Sequence, residues 1–239
     1  MNTTLYTSRR TFQEQVLDLL GQDICSGRYT PGAVLPSEAE LCERFGISRI
    51  VIREAIKSLV AKGMLVVRRK VGTTVLDPNH WNLFDPSIIA WRAHPSVLNQ
   101  TLSRDLMELR RIVEPAAASL SAQRASDDER KALRAAYLAM ERAIAEDGDY
   151  VAADLAFHAV LLAACGNQFV RQMQDAMSAI LRTSFEIVSQ KAGGPAFSLP
   201  MHEALCRAIE AGDARAAEQA ALALIDQATN DLNARLKFE

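Results

Sequence analysis

Residues 31–75 read PGAVLPSEAELCERFGISRIVIREAIKSLVAKGMLVVRRKVGTTV, and this stretch decides the fold. It opens with a short helical pattern after Ser37 and turns at Gly46. A second helix begins after Ser48, whose hydroxyl is suited to cap the first turn. Apolar residues then fall at Ile52, Ala55, Ile56 and Leu59, the i, i+3, i+4, i+7 spacing of an amphipathic helix with one buried face. Arg49, Arg53 and Lys57 recur every fourth position on a different face, with Ile50 beside them. A hairpin pattern follows: Leu65–Arg69, a turn at Lys70-Val71-Gly72, and Thr73–Leu76. Helix, turn, helix and basic hairpin in that order predict a winged helix-turn-helix, which lays its second helix in the major groove of double-stranded DNA.

The chemistry of the exposed residues fits that prediction. Arg49 and Arg53 each carry a planar fork of donors that matches guanine edges or phosphates, Lys57 suits a phosphate, and Ile50 suits a thymine methyl. Arg69, Lys70, Gly72 and Thr73 form the tip of the hairpin, where a basic wing meets the phosphate backbone, and the hydroxyls of Ser37 and Ser48 lie at the two helix starts. A solvated charged face and an ordinary surface hairpin are the plainer readings of the same residues. Charge is divided in the same sense. Residues 1–76 carry 11 Lys and Arg against 7 Asp and Glu, whereas residues 77–239 carry 16 against 22. Only the front of the chain is basic, as a nucleic-acid contact requires.

Outward from this module, residues 9–25 read as a first helix with Phe12, Val16, Leu19, Leu20 and Ile24 on its inner face. Domain one is expected at 1–77. Residues 78–86, with Pro78 and Pro86, read as a linker. From 87 to 239 helix formers dominate and no strand pattern occurs, so the expectation is mainly α: the winged module plus an all-α bundle of six or seven helices. Those helices are predicted at 86–93, 96–125, 127–146, 149–165, 167–191, 198–211 and 213–236, with Pro115 kinking the second. Four scattered cysteines without a C-x-x-C pair read as free thiols in a reducing cytoplasm. No apolar run approaches the roughly 20 residues that span a bilayer, so no membrane partner is expected.

In the helical region, Asp154 and His158 stand four apart on one helix face, and His202 lies in a later helix. One carboxylate and two imidazoles suit a divalent cation such as Zn²⁺ or Ni²⁺. An N–H···carboxylate pair without metal is the simpler alternative. There is no H-E-x-x-H and no carboxylate placed locally as a general base, so a metal-dependent hydrolase is the disfavoured reading and no catalytic residue is assigned.

The front segment resembles the DNA-binding domain of GntR-family regulators, through Pro31-Gly32, Leu35-Pro36-Ser37-Glu38, Glu40-Leu41, the SRIVIREAIKSL helix and Gly63-Met64-Leu65. The rest is similar to the FCD ligand-binding domain of the FadR subfamily, through Glu108-Leu109-Arg110, Val113-Glu114-Pro115, DLAFH, Cys165-Gly166-Asn167, and His202 to Gly212-Asp213. The resemblance implies that Arg49, Arg53 and Gly72 contact an operator. It departs at Ala39, where many members carry Arg. It also implies a metal bound by Asp154, His158 and His202, with a small carboxylate effector around it and Arg110 pointing into the pocket. An Arg110–Glu114 pair is the structural alternative. Arg182, among Ile180, Leu181 and Phe185, is a second effector candidate. The family's last His falls at Leu224, so the site lacks its usual fourth protein ligand. WNLFDPSIIAW (81–91) and AAEQAALALI (216–225) are similar to repressors of sugar-acid catabolism, which implies an aldonate effector. A homodimer on a palindromic operator, released by that effector, completes the expectation.

Overall fold

A computed structural model describes residues 11–94, 97–188 and 197–235, which divide into two compact units between Val97 and Leu98. The expected helix starts at 9 and 96 and the ends at 191 and 236 lie outside the described residues.

In the first unit, α1 (Phe12–Cys25) starts at Thr11, whose side chain accepts from the Glu14 amide while Glu14 reaches back to the Thr11 N–H. The same reciprocal cap joins Ser37 and Glu40 at the start of α2 (Glu38–Phe45). Gly46 ends α2 in the left-handed region, φ 66°, which permits the sharp turn. α3 (Arg49–Ala61) buries Ile52, Ala55, Ile56 and Leu59, as its spacing predicts. Ser48 occupies the N-cap position with extended backbone, but its hydroxyl makes no capping bond, contrary to the sequence expectation. β1 (Leu65–Arg68) pairs antiparallel with β2 (Gly72–Val75), in register Leu65↔Val75 to Arg68↔Gly72. Val34 adds a single bridge to Thr74.

The segment expected to be a linker is part of this unit. Pro78–His80 make a 3-10 turn, and α4 (Pro86–Arg92) packs on α1. Trp91 sits so close to α1 that a Cβ on Gly21 would lie 2.5 Å from its indole, and its Nε1–H donates to Asp18. Trp81 donates to the Leu76 carbonyl. The expected boundaries of 77 and 87 therefore move to 97, because Trp81, Ile88 and Trp91 complete the first unit's core instead of beginning the second.

The second unit is all α: α5 (Gln100–Arg124), α6 (Asp127–Ala145), α7 (Tyr150–Ala164), α8 (Gln168–Gln172), α9 (Gln174–Val188), α10 (Leu199–Glu210) and α11 (Ala214–Arg235). The helix predicted at 167–191 is two helices, broken at Met173. α5 runs through Pro115 and pairs most extensively with α11. Ser126 caps α6, which starts at Asp127 as expected. α7 decides where the site falls. Its sequence YVAADLAFHAVLLAA is apolar on every side, and such a helix belongs in the middle of a core. It packs against α5, α6 and α9. Asp154 and His158, the only ionisable side chains on it besides the Tyr150 phenol, are thereby carried into the interior and must find partners there.

Candidate functional site

Asp154 is fully buried, and His158 and His202 are 3% exposed. His158 follows Asp154 by one turn of α7, and α10 brings His202 to the same point. His202 Nε2 lies 3.1 Å from Asp154 Oδ1, and His158 Nε2 lies 3.7 Å from Oδ2. The two imidazoles are near-perpendicular, centroids 5.6 Å apart, and Phe157 packs edge-on to both. Neither Asp154 oxygen nor His202 Nε2 makes a hydrogen bond, although the atoms are close. Proximity without bonding direction is unusual for buried polar atoms, which are nearly always paired.

The far nitrogen of each ring has a near neighbour, hydrogen-bonded in His202 and close but without bonding direction in His158. His202 Nδ1 meets the Ser198 carbonyl at 2.9 Å, and His158 Nδ1 lies 3.2 Å from Glu114 Oε2. Partners of this kind on the distal nitrogen orient metal-binding imidazoles. One ligand atom from each of Asp154, His158 and His202 falls within 4.8 Å of the others. The donor set, the orphaned oxygens and the oriented rings fit a divalent cation, for which Zn²⁺ accepts three protein ligands and leaves a fourth position open. Leu224 is buried in the apolar cluster with Phe157 and supplies no ligand.

Arg110 is also buried, and its guanidinium bonds Glu114: Nε to Oε1 at 2.6 Å and Nη2 to Oε2 at 3.4 Å. Burial by itself would raise the Glu114 pKa. Arg110 and then His158 outweigh it and hold the carboxyl at about 2. For His158, burial works against protonation, but Glu114 and Asp154 together raise its pKa. The site is therefore a chain of alternating basic and acidic side chains, Arg110–Glu114–His158–Asp154–His202, running from α5 through α7 to α10. The alternative of an Arg110–Glu114 pair is what the structure contains, and that pair abuts the histidine cluster.

Arg182 is not part of it. The side chain is exposed on α9, and the buried polar residue there is Thr183, which donates to the Ala179 carbonyl. Two residues without a sequence signal join the surroundings: Ser198 and Tyr150, whose hydroxyls are 3.0 Å apart. Cys206, one turn from His202, is a buried core thiol whose pKa burial pushes up to about 11.

In the first unit, Arg49, Ile50, Arg53 and Lys57 are all exposed on the side of α3 opposite its buried face; Ile50 is 73% exposed. Arg53 Nε sits 2.9 Å from both oxygens of Glu38, and Lys57 pairs with Glu54 at 2.8 Å. Arg69 and Lys70 stand at the hairpin tip, where Lys70 takes φ 65° and Gly72 φ 110°. Thr73 is half-buried and its carbonyl accepts from Leu35. The Ser37 hydroxyl is occupied by its cap, whereas that of Ser48 makes none. Glu38 carries no expected contact role in the sequence reading, although it stands in the Leu35-Pro36-Ser37-Glu38 motif and opens α2.

A winged helix-turn-helix followed by a helical unit with a buried Asp/His/His group defines a two-domain, DNA-binding transcription regulator. Residues 12–75 match the family described as bacterial regulatory proteins, gntR family, and residues 105–227 match the FCD domain. The chain belongs to the GntR family and carries an FCD domain. It is 35% identical to the galactonate operon transcriptional repressor of Escherichia coli (strain K12), over 92% of this chain and 96% of that one. It is 32% identical to the uncharacterized HTH-type transcriptional regulator YieP of the same organism, over 86% and 89%. A solved structure titled for Lar, which controls the agr system of Listeria monocytogenes, shares the fold: TM-score 0.71 at 19% identity, covering 97% of this chain and all of that one. These families and relatives are transcription regulators, not enzymes. No described helix is long and apolar enough to cross a membrane.

Proposed function

We propose that this chain is a homodimeric repressor that binds a palindromic operator through α3 and the β1–β2 wing, and leaves it when a small carboxylate binds in the helical unit. Asp154, His158 and His202 would hold a divalent metal, which supplies a Lewis-acidic anchor for the carboxylate. The Ser198 carbonyl orients His202, Glu114 stands beside His158 Nδ1, and Arg110 fixes Glu114. The observation that carries this reading is the set of unbonded Asp154 oxygens and His202 Nε2 in a fully buried cluster. Leu224 leaves one ligand position free, which suits an effector whose own oxygens complete the coordination. Because a relative is named for the galactonate operon, the effector class proposed is a sugar acid, with galactonate as the first compound to test. An effector that favours one dimer spacing over another lowers operator affinity by the same coupling with which DNA lowers effector affinity.

The test is thermal stability of the full chain with galactonate, other aldonates, keto-acids, amino acids and short fatty acids, each with and without EDTA. Stabilisation by an aldonate that EDTA abolishes is the expected outcome. Stabilisation by another carboxylate class alone would replace the sugar acid. A shift insensitive to EDTA would remove the metal from the pocket.

A further inference from the structure

We propose that Glu38 is a specificity-determining residue: by holding Nε of Arg53 it leaves only the terminal nitrogens of that guanidinium to meet a base pair. The inference rests on α3 being the helix that reads DNA.

Arginine addresses a guanine edge in two ways. It uses both Nη atoms end-on, or Nε and one Nη side-on. Glu38 closes the second. Both of its oxygens lie 2.9 Å from Arg53 Nε, and the terminal nitrogens of Arg53 show no partner among the described residues. Glu38 is itself held firmly. It is the first residue of α2, enclosed by the reciprocal Ser37–Glu40 cap, so its backbone is fixed and the neighbouring carboxylate, Glu40, is already committed to the Ser37 amide. Position 39 is Ala, so no second guanidinium beside it competes for Glu38. The other cations of the stripe are treated differently. Arg49 shows no carboxylate partner among the described residues, and Lys57 takes Glu54 within its own helix.

Stability does not explain the pair. Both side chains are exposed, 59% for Arg53 and 36% for Glu38, and exposed ion pairs contribute little. For DNA affinity alone a carboxylate on this surface is unfavourable, since it repels phosphates. What the pair does provide is one orientation of a long, otherwise freely rotating side chain before DNA arrives.

The experiment uses the full-length chain. An operator is recovered by selection from a randomised double-stranded DNA library. Dissociation constants are then measured at one salt concentration for a selected and a scrambled duplex, with Glu38→Gln, Glu38→Ala, Arg53→Ala and the Glu38→Ala/Arg53→Ala double variant, each checked by thermal melting. Glu38→Ala should lower the selected-to-scrambled ratio roughly ten- to a hundred-fold. The loss should fall at the base pairs that Arg53→Ala also stops discriminating, while affinity for the scrambled duplex holds or rises. Glu38→Gln, which keeps one acceptor, should fall between. The double variant should discriminate no worse than Arg53→Ala. If Glu38→Ala tightens both duplexes equally and keeps the ratio, Glu38 is a surface charge only and the proposal is overturned. If Arg53→Ala itself leaves the ratio unchanged, the reading of α3 fails, and that failure is recognisable because Arg53 is then inert.

Discussion

Glu114 faces two buried partners at once, the Arg110 guanidinium and the His158 imidazole, and much of the site hangs on it. Removing its charge leaves Arg110 buried without a counter-ion and His158 without the group beside Nδ1. Glu114→Gln should therefore destabilise the helical unit by roughly 3–5 kcal/mol in urea denaturation. A loss below about 1 kcal/mol would mean that water solvates Arg110 in place of the carboxylate. Single residues were unevenly legible from sequence. Asp154 and His158 were visible because four-residue spacing on one helix puts side chains together wherever the helix lies. The approach of Glu114 to His158 was not, since it depends on how α5 meets α7. Arg182 has apolar neighbours in sequence but stands out of phase with them. Met177, Ile180 and Leu181 define the inner face of α9, and position 182 lies off it.

At the scale of elements, the junction between α3 and β1 is the most constrained point of the first unit. Gly63 has φ 76°, and a Cβ there would lie 2.2 Å from the His80 carbonyl oxygen. Gly63→Ala imposes both a left-handed backbone and a clash with main chain, and should cost roughly 2–4 kcal/mol of the stability of the winged unit. An effect under about 0.5 kcal/mol in equilibrium unfolding would show that the 78–82 turn yields freely. The same contact explains why the linker was misjudged. Two prolines and polar neighbours look like a spacer, but Lys62 binds Asp85 at 2.6 Å, its carbonyl accepts from Asn82, and Trp91 fills the groove at Gly21. The course of α3 was legible, its Ser48 cap apart, because its period, turn and hairpin all lie within one short stretch. The clasp made by Arg130, which donates to the carbonyls of Ala122, Ala125, Ile209 and Glu210, was not legible, because it joins the ends of α5 and α10 from distant parts of the sequence.

For the whole molecule, the two units have separate apolar cores, one built on Leu20, Leu41, Ile52 and Leu59 and the other on Phe157, Leu161, Leu205 and Ile209. Scanning calorimetry of the full chain should resolve two transitions. An effector bound at the Asp154 cluster should raise only the transition of residues 98–239, by about 2.7 kcal/mol of added stability at a hundredfold excess over its Kd. A single concerted transition would show that the units unfold as one. In sequence the charge balance reverses after residue 76, whereas the division between the two compact units falls after Val97, because α4 packs on α1.

That placement of α4 has an optical consequence. The chain has two tryptophans, Trp81 and Trp91, and both are buried in the winged unit, whereas the Asp154 cluster has none. Intrinsic indole emission is therefore a reporter built into the DNA-binding half alone. A ligand that settles among Asp154, His158 and His202 touches no emitter, so any change in that emission on its addition is a message received by the other half of the protein.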